Sequence, residues 1–363
     1  MDQQTFQFLE RYINNPSPTG FERKGQKMWL DYLMPYIDDH YMDNYNNAVG
    51  IINPEHKYKI MLESHGDEIS WLVNYIGEKG FLHVIPNGGA DADVCPGKRA
   101  LIHTNQGILP CVFGWPPIHL RYDMGNFRVD ENHLFVVCGC SSVEEVKKLG
   151  IRVGDVITFD DQLQIINKRF LVGRGLDNRI GALIIAEVAR RLKESNKKLP
   201  FALYFVNAVQ EEVGLNGAKM ISDQIKPDIA IVTDVTHDTN IPFIDIRKHG
   251  DTCCGKGPVL AIAPAIHKGL LQVVQNVANE NKIPFQFVAV SRETSTDADA
   301  IALAQGGICS VLISPPLRYM HTPVEMVCSD DIENTIKLMT ELMKKIDPAT
   351  INLNSAFNAN ELG

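Results

Sequence analysis

No CxxC pair occurs among the eight cysteines of this chain; Cys138 and Cys140 are one residue apart and Cys253 adjoins Cys254. Cys138 and Cys140 can be read as part of a metal site, but thiols packed on one face of a strand are the preferred reading. Dispersed cysteines in a chain of 363 residues read as mostly buried thiols of a reducing compartment. No apolar run approaches the ~20 residues that cross a bilayer, so no membrane role is expected. The start, Met1-Asp2-Gln3-Gln4, has no apolar stretch like that of a signal peptide, and a cytoplasmic location is expected over export. Basic charge is also in short supply. With 35 Lys and Arg against 44 Asp and Glu, the net charge of −9 leaves no excess to displace phosphate counterions, which argues against nucleic acid as a partner. Neither an internal repeat nor a low-complexity segment is present.

What remains is an ordinary globular composition, 45% hydrophobic and 22% charged, long enough for roughly two to three domains. Residues 6 to 35 carry a helical pattern broken at Asn14-Asn15-Pro16-Ser17-Pro18-Thr19-Gly20, and strands are expected over 42–52 and 57–64. From about 70 to 163 the texture changes to short β-like runs (71–73, 81–85, 109–113, 134–137, 155–159) separated by Gly, Pro and Asn, with one helix near 143–149. Closely spaced short strands predict a small β-barrel or sandwich. After Leu171, helices near 179–193, 217–224, 267–281, 297–305 and 329–345 alternate with strands over 201–209, 229–233, 285–290 and 308–313. The simplest organisation is one α/β domain, 1–68 plus 164–363, interrupted by a β-rich insert, 69–163. The polar tail after Asp347, Asn352 to Gly363, has little to pack and is expected to be mobile.

Several of the apolar runs end in a carboxylate or an imidazole. His65 follows Lys59-Ile60-Met61-Leu62-Glu63-Ser64, Asp234 follows Ile229-Ala230-Ile231-Val232-Thr233, and His321 comes soon after Val311-Leu312-Ile313. Ligands of open α/β sheets bind beyond the carboxyl ends of the strands. Taken singly, each has an ordinary reading. Asp177 can be a helix N-cap, Asp234 a solvated strand end, His65 a surface histidine near an acidic turn, and His321 a loop histidine. His65 and Asp67, two apart in extended chain, share a face, so Asp67 can accept a hydrogen bond from one ring nitrogen while the other binds metal.

Glu211 and Glu212 are harder to explain away. Two adjacent carboxylates at the end of the apolar run Phe201 to Val209 repel each other unless cations or solvent compensate. Adjacent residues point in different directions, so one can bind a metal while the other faces a substrate. Two histidines, two aspartates and one glutamate would serve two neighbouring metal sites with a bridging carboxylate. Paired ions ~3.5–4 Å apart can lower the pKa of a shared water and clamp the oxyanion of an attacked carbonyl. The spare glutamate would take the water's proton and pass it to the leaving amine. With no thiolate in the set, Zn, Co and Mn all fit. A glycosidase reading of the carboxylate pair leaves the histidines without a role, because such enzymes need two carboxyls ~5–9.5 Å apart across a sugar. A non-catalytic binding or assembly module would retain these residues with neither bound metal nor turnover.

These segments resemble the M42 family of metallo-aminopeptidases, the group that includes the glutamyl and tetrahedral (TET) aminopeptidases. The matching stretches are Pro16 to Glu22, His65-Gly66-Asp67-Glu68-Ile69, Gly173 to Arg179, Val209 to Ala218, Thr233-Asp234-Val235, Ser295-Thr296-Asp297-Ala298, and Arg318 to Pro323 with Glu325 but not Val324, in family order over nearly the whole chain. The resemblance implies a phosphorylase/hydrolase-like three-layer α/β catalytic domain with a mixed, mostly parallel sheet, interrupted by a small β-barrel for dimerisation and assembly. It implies His65, Asp177 and Asp234 on one metal, and Asp177, Glu212 and His321 on the other, with Asp177 bridging. Glu211 matches the general base and Asp67 the residue that orients His65, both counted in the catalytic site. Zinc is the foremost expectation for the two divalent ions. A cis peptide at Asp177–Asn178, short peptide substrates and a homo-oligomer, up to a dodecamer, are also implied. A carboxypeptidase or deacylase of the same wider fold is the rival, disfavoured by the place of the insert between His65 and Asp177. The chain departs from the family pattern at Val137-Cys138-Gly139-Cys140 and at Arg292-Glu293-Thr294, neither of which touches an implied ligand. Arg292 and Lys248 are candidates for holding an acidic substrate group, and read equally well as solvated surface charges.

Overall fold

The computed structural model describes residues 1–121, 129–351 and 353. Helix α1 (Gln3–Asn14) starts where the Asp2 carboxylate accepts the Thr5 N–H at 2.8 Å, an N-cap that satisfies one orphan donor of the first turn. It buries Thr5, Phe8, Leu9, Tyr12 and Ile13, a stripe at helical spacing. The Pro16-Ser17-Pro18 break then turns the chain into α2 (Arg23–Leu33), which buries Trp29 and Leu33. The strand expected over 42–52 is instead a hairpin, β1 (Asp39–Met42) and β2 (Ala48–Ile52). Its turn is made by Asp43, whose carboxylate accepts the backbone N–H of Tyr45 and Asn47, while Asn46 takes the left-handed φ of 73°. Strand β3 (Lys59–His65) is buried along all but its first residue.

The chain next forms a closed barrel of β4 (Ser70–Ile76), β5 (Leu82–Asn87), β6 (Arg99–Thr104), β7 (Gly107–Phe113), β8 (Phe135–Val137) and β9 (Val156–Phe159), with α3 (Val143–Lys148) attached. Trp71, Phe113, Ile157 and Val136 fill its interior. Strand β6 was not foreseen, because Arg99-Ala100-Leu101-Ile102-His103-Thr104 mixes charge with apolar residues and carries no turn signal of its own.

The return path contains β10 (Gln164–Ile166), β11 (Phe170–Gly173), α4 (Leu176–Ser195), β12 (Ala202–Ala208), α5 (Asn216–Ile225), β13 (Ile229–Val232), β14 (Thr236–His237) and α6 (Ile246–His249). It continues through β15 (Val259–Ile262), α7 (Lys268–Glu280), β16 (Gln286–Ala289), α8 (Asp297–Leu303), β17 (Cys309–Ser314), β18 (Pro316–Arg318), β19 (Glu325–Cys328) and α9 (Ser329–Lys345). The eight-stranded sheet runs β1-β2-β12-β3-β13-β17-β15-β16. Strands β12, β3, β13 and β17 are parallel neighbours, as are β15 and β16, so the sheet is mixed and mostly parallel as expected. A second sheet, β10-β11-β19-β18-β14, was not anticipated; its strands are two to four residues long, too short to show periodicity. Strand β15 was missed for the same reason. Helix α4 is buried through most of its length between the sheet and the other helices, and Trp29 of α2 donates its indole N–H to the Ala182 carbonyl at 2.8 Å. Helix α8 ends at Leu303, short of the expected 305, where Gln305 turns to a φ of 53°. The expected mobile tail, 352–363, lies outside the described residues apart from Leu353, which packs against the core beside Gly269. Among the described residues no helix is long and apolar enough to cross a membrane.

Candidate active site

Strand β3 delivers His65 at its carboxyl end, and the chain must turn at once. A Cβ on Gly66 would come within 2.6 Å of the Asn207 side chain, so glycine alone fits there. Asp67, wholly buried, ties this turn to the neighbouring one. Its carboxylate accepts the Thr19 hydroxyl at 2.8 Å and the backbone N–H groups of Glu211 and Glu212 at 3.1 and 3.3 Å. One of its oxygens lies 3.3 Å from His65 Nδ1, which leaves Nε2 facing the cluster. Gln210, just after β12, has a φ of 57°, and this left-handed step turns the two glutamates off the strand axis.

The six expected side chains converge. His65 Nε2 lies 3.3 Å from an Asp177 oxygen, 3.7 Å from Asp234 and 3.8 Å from Glu211. His321 Nε2 lies 3.4 Å from the other Asp177 oxygen and 3.4 Å from Glu212. Donor atoms of His65, Asp177 and Glu212 fall within 4.8 Å of one another, as do those of His65, Glu211 and Asp234. Glu211 therefore sits as close to the cluster as the implied ligands do, and it also lines the cavity. Asp177 is not the N-cap of α4. That place falls to Gly175 in the left-handed region, and Asp177 itself has non-helical backbone angles that turn its carboxylate into the cluster. The Asp177–Asn178 peptide is cis. Asn178 anchors this corner by donating to the Thr233 carbonyl at 2.8 Å, beside Asp234.

Three contributors were not read from the sequence. The carbonyl of Gly89, in the barrel after β5, lies 2.9 Å from His321 Nδ1. A carbonyl can only accept, so this contact places a proton on Nδ1 and turns Nε2 toward Asp177 and Glu212. Glu325, at the start of β19, accepts the backbone N–H of Asp177 at 3.0 Å and that of His321 at 2.9 Å. Behind the cluster, buried Glu63 and Asp297 form a carboxyl pair whose oxygens have no other hydrogen-bond partner. Glycine-rich Asn87-Gly88-Gly89 was a visible turn, but nothing in it announced the site.

The electrostatics follow from crowding carboxylates around two imidazoles. Burial pushes the Glu211 carboxyl up to about 9, with His65 pulling the other way. Burial and then the Asp177 charge push Glu212 well above the ordinary carboxylate range, and burial raises Asp234. Asp177 alone is held below its usual range. Burial acts to raise it, but contacts with His321 and His65 outweigh that cost. His321 is raised to about 9: burial opposes its charge, and contact with Asp177 prevails. A buried cluster with this excess of acceptors fits divalent cations, which would supply the missing positive charge. Oxygen and imidazole donors within a few ångströms of one another suit Zn, Co or Mn.

Beside the cluster opens a cavity of about 1010 Å³, lined by Asp177, Glu211, Glu212, Asp234 and His321 on one side and by Val288, Val290, Leu312 and Met320 farther out. Lys248 lines it with His237 and His249, whereas Arg292 is exposed and does not. Of the two side chains considered for an acidic substrate group, only Lys248 reaches the cavity.

A mixed α/β sheet carrying a carboxylate and imidazole cluster beyond its strand ends, with a closed barrel inserted after the first histidine, defines the class of barrel-inserted peptidases. The family model for the M42 glutamyl aminopeptidases matches residues 46–338. The lysyl aminopeptidase of Pyrococcus furiosus is 30% identical over 354 residues, covering 94% of this chain and 98% of that protein. The TET aminopeptidase of Thaumarchaeota archaeon SCGC AB-539-E09 superposes with a TM-score of 0.91 at 30% identity, over 96% of this chain and 98% of that one. The TET1 peptidase of Pyrococcus horikoshii, which can assemble into a tetrahedron or a large octahedral shell, superposes with a TM-score of 0.84 at 26% identity, over 94% of this chain and 100% of that one. The chain belongs to the M42 peptidase family and is an aminopeptidase, a hydrolase acting on peptide bonds.

Proposed function

We propose that the chain removes N-terminal residues from short peptides with two divalent metal ions. His65, Asp177 and Asp234 would hold one ion, and Asp177, Glu212 and His321 the other. The observation that carries this reading is Asp177, whose two carboxylate oxygens each face the Nε2 of a different histidine at 3.3 and 3.4 Å. When bound, the ions would supply Lewis-acid charge against the scissile carbonyl and acidify a water, with zinc the foremost fit. Glu211 is the general base: it takes the proton of the attacking water and returns it to the leaving amine. Its carboxyl lines the cavity and lies 3.8 Å from His65 Nε2, beside the implied ligands. Asp67 orients His65 and fixes the backbone of both glutamates, and Gly89 holds the His321 ring. The buried carboxylates at the cavity floor would pair the free amine of the substrate.

The division into a catalytic domain, 1–68 plus 164–363, and an inserted assembly domain, 69–163, belongs to the same proposal. Tyr75, Ile85, Ile108 and Val112 stand exposed on the barrel strands, apolar side chains that support association into a homo-oligomer as large as a dodecamer. Eight unpaired cysteines support a cytoplasmic location.

The test is hydrolysis of a panel of aminoacyl-p-nitroanilides by chelator-stripped protein with Zn, Co or Mn added back, and N-acetylated substrates as controls. Metal-dependent release only from free-amine substrates is expected. Cleavage of the acetylated set would replace this reading with the deacylase or carboxypeptidase side of the fold, and no release with any metal would leave a binding module.

A further inference from the structure

Glu325 is 2% exposed, does not line the cavity, and lies away from every apolar run that marked the site in the sequence. Its two oxygens are nevertheless committed to two implied ligands. Oε2 accepts the N–H of Asp177, 148 residues away in the chain, and Oε1 accepts the N–H of His321, four residues away. Both segments depart from regular backbone at these points. Asp177 is non-helical inside α4, and His321 holds a φ of 61°, a region that a residue with a Cβ enters only at a cost. Such positions persist where the surroundings over-determine them, and a single carboxylate that grips both N–H groups does so. The chemistry is specific to a carboxylate. It offers two acceptor atoms and no donor, whereas an amide of the same shape would set an NH₂ against one of the two N–H groups. On the other flank Asp67 is the counterpart, holding the backbone of Glu211 and Glu212 in the same bidentate manner.

We propose that Glu325 is a positioning residue that fixes Asp177 and His321 relative to each other, and that the metal position between Asp177, Glu212 and His321 depends on it more than the position beside His65 and Asp234 does. The inference rests on the two-ion reading above. It assigns Glu325 no contact with substrate and no part in proton transfer.

The experiment is a titration of chelator-stripped protein with cobalt(II), followed by its visible absorption, for wild type and for Glu325→Gln, with thermal unfolding and native mass as checks on folding. Wild type is expected to take up two ions. In Glu325→Gln one binding step should stay near wild type and the other weaken by roughly ten- to a hundredfold, the usual effect of removing a group that orients a ligand. Fewer than two ions in wild type would overturn the two-ion reading and the inference with it. Two ions in both proteins with unchanged affinities would overturn the inference alone. If Glu325→Gln gives no particle of native mass, Glu325→Asp, which keeps the charge but shortens the reach, goes through the same titration. Selective weakening of one ion there supports the clamp, and unchanged binding or failure to fold overturns it.

Discussion

The α/β part of the molecule and its barrel bury very different side chains. At the strand ends of the former lie Glu63, His65, Asp67, Asp177, Asp234, Asp297 and Glu325, all under 9% exposed. Among the described residues from Ser70 to Phe159, Asp155 is the one buried charged side chain, and it accepts the Arg152 N–H in a local turn. Burying an unpaired charge costs several kcal/mol, so a domain that serves only as scaffold avoids it. The α/β part gathers seven such side chains in one cluster, where hydrogen bonds and contacts between carboxylates and imidazoles offset that cost. The barrel touches the cluster through Gly88 and Gly89, where a Cβ would press on Glu212 and His321 respectively. Charge burial thus separates the α/β part, which carries the cluster, from the barrel, which sets Gly88 and Gly89 against it.

That contrast can be broken at its strongest point. Glu211→Gln should keep both metals and the native mass yet lose about 10²–10⁴-fold in kcat, the range for removing a general base. Wild-type turnover in that variant would remove Glu211 from the mechanism.

A smaller effect concerns stability without metal. Glu211 is raised to about 9, Glu63 to about 8, and His321 to about 9. Each group binds protons more tightly in the folded protein than in the unfolded chain, so stability must fall as pH rises through this range. For the carboxyls the loss begins above ~4.3, and for the imidazole above ~6.5. Asp177 works in the opposite sense, but only below the ordinary carboxyl range. The chelator-stripped protein should therefore melt at a lower temperature at about pH 9 than at about pH 6, and added metal should flatten the dependence because cations displace those protons. A melting temperature of stripped protein that rises over this interval would show that the cluster is not proton-loaded. No comparable dependence is expected from the barrel.

The smallest effect probes the barrel's one intrusion. A Cβ at Gly89 would lie 2.8 Å from the His321 ring, while the backbone there is open to any residue. Gly89→Ala should cut kcat/KM roughly tenfold with little change in melting temperature. Unchanged activity would mean that His321 tolerates a shift and that the barrel's contribution is assembly alone.

Much of the site was legible because of how parallel sheets are built. A buried strand is an apolar run, so the polar residue that ends it is visible against that background; His65, Glu211, Glu212 and Asp234 all show up this way. Asp177 and His321 were weaker signals, each with an ordinary local explanation, and it was their order along the chain among the other motifs that gave them roles. Glu325 and Asp297 lay inside matching stretches but had no role assigned, and Gly89 and Glu63 carried no mark at all. Glu325 acts on two backbone N–H groups that the fold brings together, and a backbone donor looks the same in every sequence. The main sheet and its helices were likewise apparent from periodicity, whereas β6 and the short strands of the second sheet were not, since two to six residues with mixed polarity show no period.

By itself, then, the sequence determined an α/β scaffold with a β insert, an absence of basic excess, and six side chains suited to metal-assisted hydrolysis. Only the tertiary structure decided that the two oxygens of Asp177 face different histidines, that a barrel carbonyl sets the proton on one of them, and that Glu325 joins two distant ligand segments. The reason is physical. Local composition reports burial and strand ends through short-range periodicity, while hydrogen bonds between backbone groups far apart in the chain exist only once the core has packed.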